Sequence, residues 1–127
     1  PSAGLTLFCS IMSCMLNKPL PNVAFTGTID VLYSTVGIIG GVEEKITAAE
    51  RKGIEKVYIP FENYEELQEK GKIERFKPEI VPVRNLSEVL KELFDFEIKS
   101  GVLEGRCRDV RVVVLGVHKK KPHGKRV

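Results

Sequence analysis

Metal-ligating side chains are scarce in this chain, with two histidines and three cysteines among 127 residues. His118 and His123 lie in a basic terminal run and Cys107 stands alone, so no Cys/His group has metal-site spacing and no metal is expected. An odd cysteine count offers no disulfide framework. Cys9 and Cys14 fall in an apolar stretch where small buried thiols are common, and a reducing, cytoplasmic compartment is the expectation. Long apolar runs are also missing. The longest, Ala3 to Leu16, is interrupted by Thr6, Ser10 and Ser13 and is too short to cross a bilayer. It has no basic leader, which argues against a signal peptide. No segment resembles a P-loop, so the chain alone has no means of hydrolysing ATP. There is no internal repeat. There is also no initiator Met: the chain opens on Pro1-Ser2-Ala3-Gly4, and a piece or processed product of a longer protein is expected.

Hydrophobic residues at 43% and charged residues at 29% are ordinary for a globular domain. Much of the net charge of +3 sits in Lys119, Lys120, Lys121, Lys125 and Arg126. The remainder is near neutral, which argues against a nucleic-acid-binding domain as a whole. The terminal run reads as a solvated tail, or alternatively as an electrostatic contact for nucleic acid or an acidic partner.

Gly4 to Leu16 reads as a helix buried around most of its circumference, ended by Asn17-Lys18-Pro19. Val23 to Thr26 reads as a strand, and Ile29 to Ile39 as a hairpin broken at Ser34-Thr35. Gly40-Gly41 introduces a charged helix from Val42 to Lys52, closed by Gly53. A strand at Val57 to Pro60, a polar helix around Asn63 to Lys70 and a strand at Glu79 to Val83 follow. Asn85 or Ser87 caps a last helix through Leu90, Leu93 and Phe94. Strands alternating with helices predict an α/β domain with helices packed on a mixed sheet. Beyond Ser100, the run Val110 to Leu115 predicts one more strand.

Two side chains invite a chemical reading. Ser2 precedes the first helix, where a serine is an ordinary N-cap. The same place suits a nucleophile: helix N-terminal amides, here those of Ser2 and Ala3, can donate to a developing oxyanion, and small neighbours let a substrate backbone approach. A serine still needs a base. Lys45 lies on the border of the apolar face formed by Val42, Ile46 and Ala49, near the start of its helix. Partial desolvation and the helix dipole both disfavour its ammonium form there. Ser-Lys is a known variant of the catalytic triad. The plain alternative is a snorkelling surface lysine paired with Glu44 or Glu50.

Pro1-Ser2-Ala3-Gly4 resembles the nucleophile motif of Lon proteases. Thr26-Gly27 and Ile39-Gly40-Gly41-Val42-Glu43-Glu44-Lys45 resemble the segment leading to that family's catalytic lysine. Ala48-Ala49, Gly53-Ile54, Val57-Tyr58-Ile59-Pro60, Glu62-Asn63 and Val83-Arg84 through Val89-Leu90 continue the likeness in order, to about Phe96. Thr28 stands where the family has an acidic residue, Tyr33-Ser34-Thr35 replaces a tight basic turn, and Ile38 replaces a common proline. The resemblance implies a Lon proteolytic-domain fold over residues 1–98, shortened on its N-terminal side, with residues 99–127 as a tail holding one strand and a basic terminus. It implies a serine endopeptidase with Ser2 as nucleophile, Lys45 as base and Thr26 positioning the lysine. Its expected setting is hexameric, ATP-dependent protein quality control, with unfolded proteins as substrates and an ATPase domain in cis or trans. No cofactor is expected in this chain, since ATP and Mg belong to the ATPase domain. The rival expectation is a non-catalytic Lon-like module used for assembly or nucleic-acid contact.

Overall fold

The computed structural model describes residues 2–30, 32–95, 102–107 and 110–115, the last two segments by their backbone alone. The element order is α1 (Gly4–Met15), β1 (Val23–Phe25), β2 (Thr28–Asp30), β3 (Thr35–Gly37), α2 (Val42–Arg51), β4 (Lys56–Pro60), α3 (Phe61–Glu69), a 3-10 turn (Ile73–Arg75), β5 (Glu79–Val83), α4 (Leu86–Phe94), β6 (Val102–Cys107) and β7 (Val110–Leu115). The expected mixed α/β architecture is present. No described helix is long and apolar enough to cross a membrane.

A parallel sheet in the order β1-β4-β5 forms the middle layer. Its central strand β4 is buried on both faces, as an apolar run such as Val57-Tyr58-Ile59 requires. Alternation along the strand divides the core. Val57 and Ile59 pack with Val42, Ile46 and Ala49 of α2, Leu67 of α3 and Ile80. Tyr58 points the other way, to Leu5 and Cys9 of α1, Val83, and Leu86 and Val89 of α4. Helices α1 and α4 meet through Met12, Met15, Leu90 and Phe94.

Helix α1 departs from the expected all-round burial. Leu5, Cys9, Met12 and Met15 form a buried stripe at helical spacing, whereas Leu7 and Ile11 are 61% and 58% exposed. Apolar composition alone did not say how many neighbours the helix would have. Asn17, at φ 53, ends it in the left-handed conformation, with Lys18 N–H donating back to Ser13 O. Asn85 caps α4 by accepting from Glu88 N–H, which settles the choice between Asn85 and Ser87.

Strands β2 and β3 form the expected hairpin, with Ile29 opposite Val36. Its second arm is tied to the main sheet: Val36 N–H donates to Arg84 O, and Leu86 N–H to Ser34 O. Ser34 is fully buried at φ 58, and its hydroxyl has no hydrogen-bond partner among the described residues. A left-handed non-glycine conformation and an orphaned hydroxyl are both unfavourable. Ser34→Gly removes both, and should raise stability by about 1 kcal/mol in chemical denaturation. A lowered denaturation midpoint would refute this account of the turn.

The predicted strand over Val110 to Leu115 is present, but it pairs antiparallel with a second strand, β6, in a sheet of its own. The run Val102-Leu103-Glu104-Gly105-Arg106-Cys107 carries two charges and a glycine, which hid it from the sequence reading. Strand β6 runs beside α1. The basic run from Lys119 to Arg126 lies outside the described residues.

Cys9 is free and buried, and burial pushes its thiol up to about 12. The unfolded chain loses that proton above about pH 8.5, whereas the native chain keeps it, so unfolding releases a proton in this window. Stability should therefore fall as pH rises through that range. The fall should be shallower in Cys9→Ala, as read from melting temperatures across the alkaline range. Equal slopes in the two proteins would contradict the burial argument.

Candidate active site

Ser2 and Lys45 arrive at one place from opposite sides of the fold. Ser2 sits one residue before the α1 N-cap, Ala3, and no side chain caps that helix. Its backbone is clasped by the turn after β1. Gly27 N–H donates to Ser2 O at 3.0 Å, and Leu5 N–H donates to Gly27 O at 3.0 Å. The clasp needs a residue without a side chain, because a Cβ on Gly27 would lie 2.8 Å from Val36 Cγ1. The turn is anchored in its turn on the central strand, through Thr26 N–H to Tyr58 O at 3.0 Å.

Lys45 stands in the first turn of α2, which starts after Gly41, whose φ of 65 favours a residue without Cβ. Lys45 N–H donates to Gly41 O, fixing the start of the helix. Val42, Ile46 and Ala49 of the same helix are buried against β4, so half-buried Lys45 on the border of that face is turned along the sheet edge toward Ser2. Lys45 Nζ lies 3.0 Å from Ser2 Oγ and donates to it. The same separation lets a proton pass from hydroxyl to amine when the lysine is neutral.

The two plain alternatives fare differently from this pairing. The Ser2 side chain does not cap α1, since its hydroxyl is engaged by Lys45. Lys45 makes no ion pair with Glu44 or Glu50 among the described residues. Glu50 accepts from Lys77 N–H, and Glu43 is held by Lys72 at 3.0 Å. That hydrogen bond keeps the Glu43 carboxyl below its usual range and ties the outer side of α2 to the segment after α3. Thr26 is buried, and its hydroxyl donates to Ser2 O at 3.5 Å. Its contact is with the serine's backbone.

Two further polar residues escaped the sequence reading. Asn63 is buried, and its carboxamide both accepts from Ile39 N–H (2.9 Å) and donates to Ile39 O (3.0 Å). The signal was its place one helical turn before Leu67, on the buried side of a polar helix. Tyr58 stacks on Phe25, and its hydroxyl donates to Glu92. Burial first, and then that carboxylate, push the phenol well above its ordinary range. The described residues hold no group of three or more His, Cys, Asp or Glu side chains arranged for a metal ion.

Residues 1–95 match the family described as Lon protease (S16) C-terminal proteolytic domain. The Lon protease of Methanosarcina barkeri is 38% identical over 104 residues, 81% of this chain and 13% of that protein. That of Clostridioides difficile is 41% identical over 102 residues, 80% of this chain and 12% of its own length. That of Buchnera aphidicola subsp. Schizaphis graminum is 44% identical over 94 residues, 72% of this chain and 12% of its own. The chain thus spans about an eighth of the length of these relatives. With the family matched over three quarters of the chain, this protein belongs to the Lon protease C-terminal proteolytic domain family.

Proposed function

We propose that this chain carries the catalytic pair of a serine endopeptidase of the Lon type, acting on unfolded polypeptide. The observation that carries the reading is the 3.0 Å contact between Lys45 Nζ and Ser2 Oγ. Neutral Lys45 takes the hydroxyl proton as Ser2 Oγ attacks the scissile carbonyl, and the carbonyl oxygen becomes an oxyanion. Backbone amides of Ser2 and Ala3, at the positive end of α1, hold that charge. Collapse of the intermediate breaks the C–N bond, and Lys45 returns its proton to the departing amine. Water then attacks the acyl-enzyme, its proton passing to Lys45 and from there back to Ser2 Oγ.

The chain would work beside an ATPase domain, in cis or trans, that unfolds and delivers substrate, within a homo-oligomer for which a hexamer is the family expectation. In the intact protein, Ser2→Ala should lose both cleavage of a casein-like substrate and labelling by a fluorophosphonate probe. Retained cleavage would refute the assignment of Ser2. Salt-sensitive DNA binding with no cleavage by the parent protein would favour the non-catalytic module instead.

A further inference from the structure

We infer that Asn63 is a positioning residue for Lys45, acting through the backbone of Ile39; the inference rests on the Ser-Lys reading above. Strand β3 ends at Gly37 and α2 starts at Val42, so the segment from Ile38 to Gly41 belongs to neither. That segment includes Gly40-Gly41, and it alone connects the hairpin to the helix that presents Lys45. Packing of Val42, Ile46 and Ala49 on β4 seats the body of α2, whereas the entry to its first turn, where Lys45 lies, passes through these glycines and takes its hold elsewhere.

Asn63 supplies the fixed point. Its carboxamide grips both polar groups of Ile39, at 2.9 and 3.0 Å, as a neighbouring strand would. Asn63 is only 2% exposed, so the grip is shielded from water. Asn63 has a stiff support, because α3 follows directly from the central strand β4 and buries Leu67 on the same side. The reach from β4 to Lys45 thus runs through α3, the Asn63 carboxamide, Ile39 and Gly41. Ser2 hangs on the same strand through Thr26 N–H and Tyr58 O. Both halves of the pair are therefore referred to β4, Ser2 by backbone bonds and Lys45 by the packing of α2 on that strand together with the Asn63 carboxamide at the entry to the helix. Asn63 touches neither Ser2 nor Lys45 by any hydrogen bond, so its part is placement.

Loss of the grip should lower the turnover of cleavage more than substrate affinity. A small displacement of a reacting group is enough to cost on the order of a hundredfold in rate. Asn63→Ala in the intact protein should lower kcat to about that extent, leave KM within about twofold, and slow fluorophosphonate labelling of Ser2 in parallel. Asn63→Asp adds a readout that a merely structural role would not move. As a carboxylate it keeps the acceptor for Ile39 N–H but loses the donor to Ile39 O; once protonated it regains a donor. Its kcat relative to the parent should therefore recover on going from about pH 9 to about pH 6, while KM stays level. The inference is overturned if both variants fold and keep parental kcat, if the deficit lies in KM, or if the Asn63→Asp ratio is flat with pH. It is also overturned if neither variant folds, which would make Asn63 structural only. Ser2→Ala and Lys45→Ala run in the same assay separate the two readings: full activity in either removes the Ser-Lys pair itself, whereas their inactivity with a fully active Asn63→Ala removes only the role of Asn63.

Discussion

Lys45→Arg and Lys45→Met should each lower cleavage on the order of a thousandfold or more, while the melting temperature changes little. The pair of substitutions separates base from charge. Arginine keeps a cation near Ser2 Oγ but stays protonated at any workable pH, so it cannot accept the serine proton. Methionine keeps the unbranched bulk and removes the nitrogen altogether. If the lysine served only to place positive charge beside Ser2, arginine would preserve most of the rate. Lys45 has no ion-pair partner among the described residues and is only half-buried, so little folding free energy is tied to its charge. Steady-state cleavage of an unfolded polypeptide, with thermal melts of the same samples, would decide it. Parental turnover in Lys45→Arg would end the general-base assignment.

Gly27→Ala should produce the second large effect, this time on folding. The added methyl would stand 2.8 Å from Val36 Cγ1 and 3.5 Å from Leu5 Cβ, both in the core that joins α1 to the hairpin. Overpacking of this kind costs about 1–3 kcal/mol, and for a domain near this size each kcal/mol lowers the melting temperature by roughly 4–8 °C. The backbone has no easy retreat, because Gly27 N–H holds Ser2 O and Gly27 O receives Leu5 N–H. Relief must come from Val36. Combined with Val36→Ala, the Gly27→Ala substitution should therefore destabilise less than the sum of the two single changes, a coupling that a double-mutant cycle measures directly. Strict additivity would show that the methyl is accommodated somewhere else.

The contrast between these residues shows what the sequence could and could not convey. Lys45 was legible because helical periodicity fixes which residues border an apolar face, and that face does pack on β4. Ser2 was ambiguous: a serine before a helix has the same local chemistry as a cap or as a nucleophile, and only the arrival of a side chain from 43 positions away distinguishes them. Asn63 was invisible as an actor, since its partners are the backbone groups of Ile39, and backbone groups leave no mark in composition. Strand β5 was read correctly, and the cap of α4 was narrowed to Asn85 or Ser87, because their signals are local. The exposure of Leu7 and Ile11 depends on which surfaces come to lie beside α1, which no local pattern encodes.

The bond from Thr26 N–H to Tyr58 O has a consequence in time as well as in space. Ser2 is made before the strand that braces the turn gripping it, which emerges more than fifty residues later. Registry of β1 with β4 requires closing a loop over the hairpin and α2, an entropic cost met only when the central strand is available. A nascent chain can therefore carry both Ser2 and Lys45 while the pair is still unassembled. On the proposed reading, the order of synthesis delays assembly of the Ser2–Lys45 pair until β1 has paired with β4.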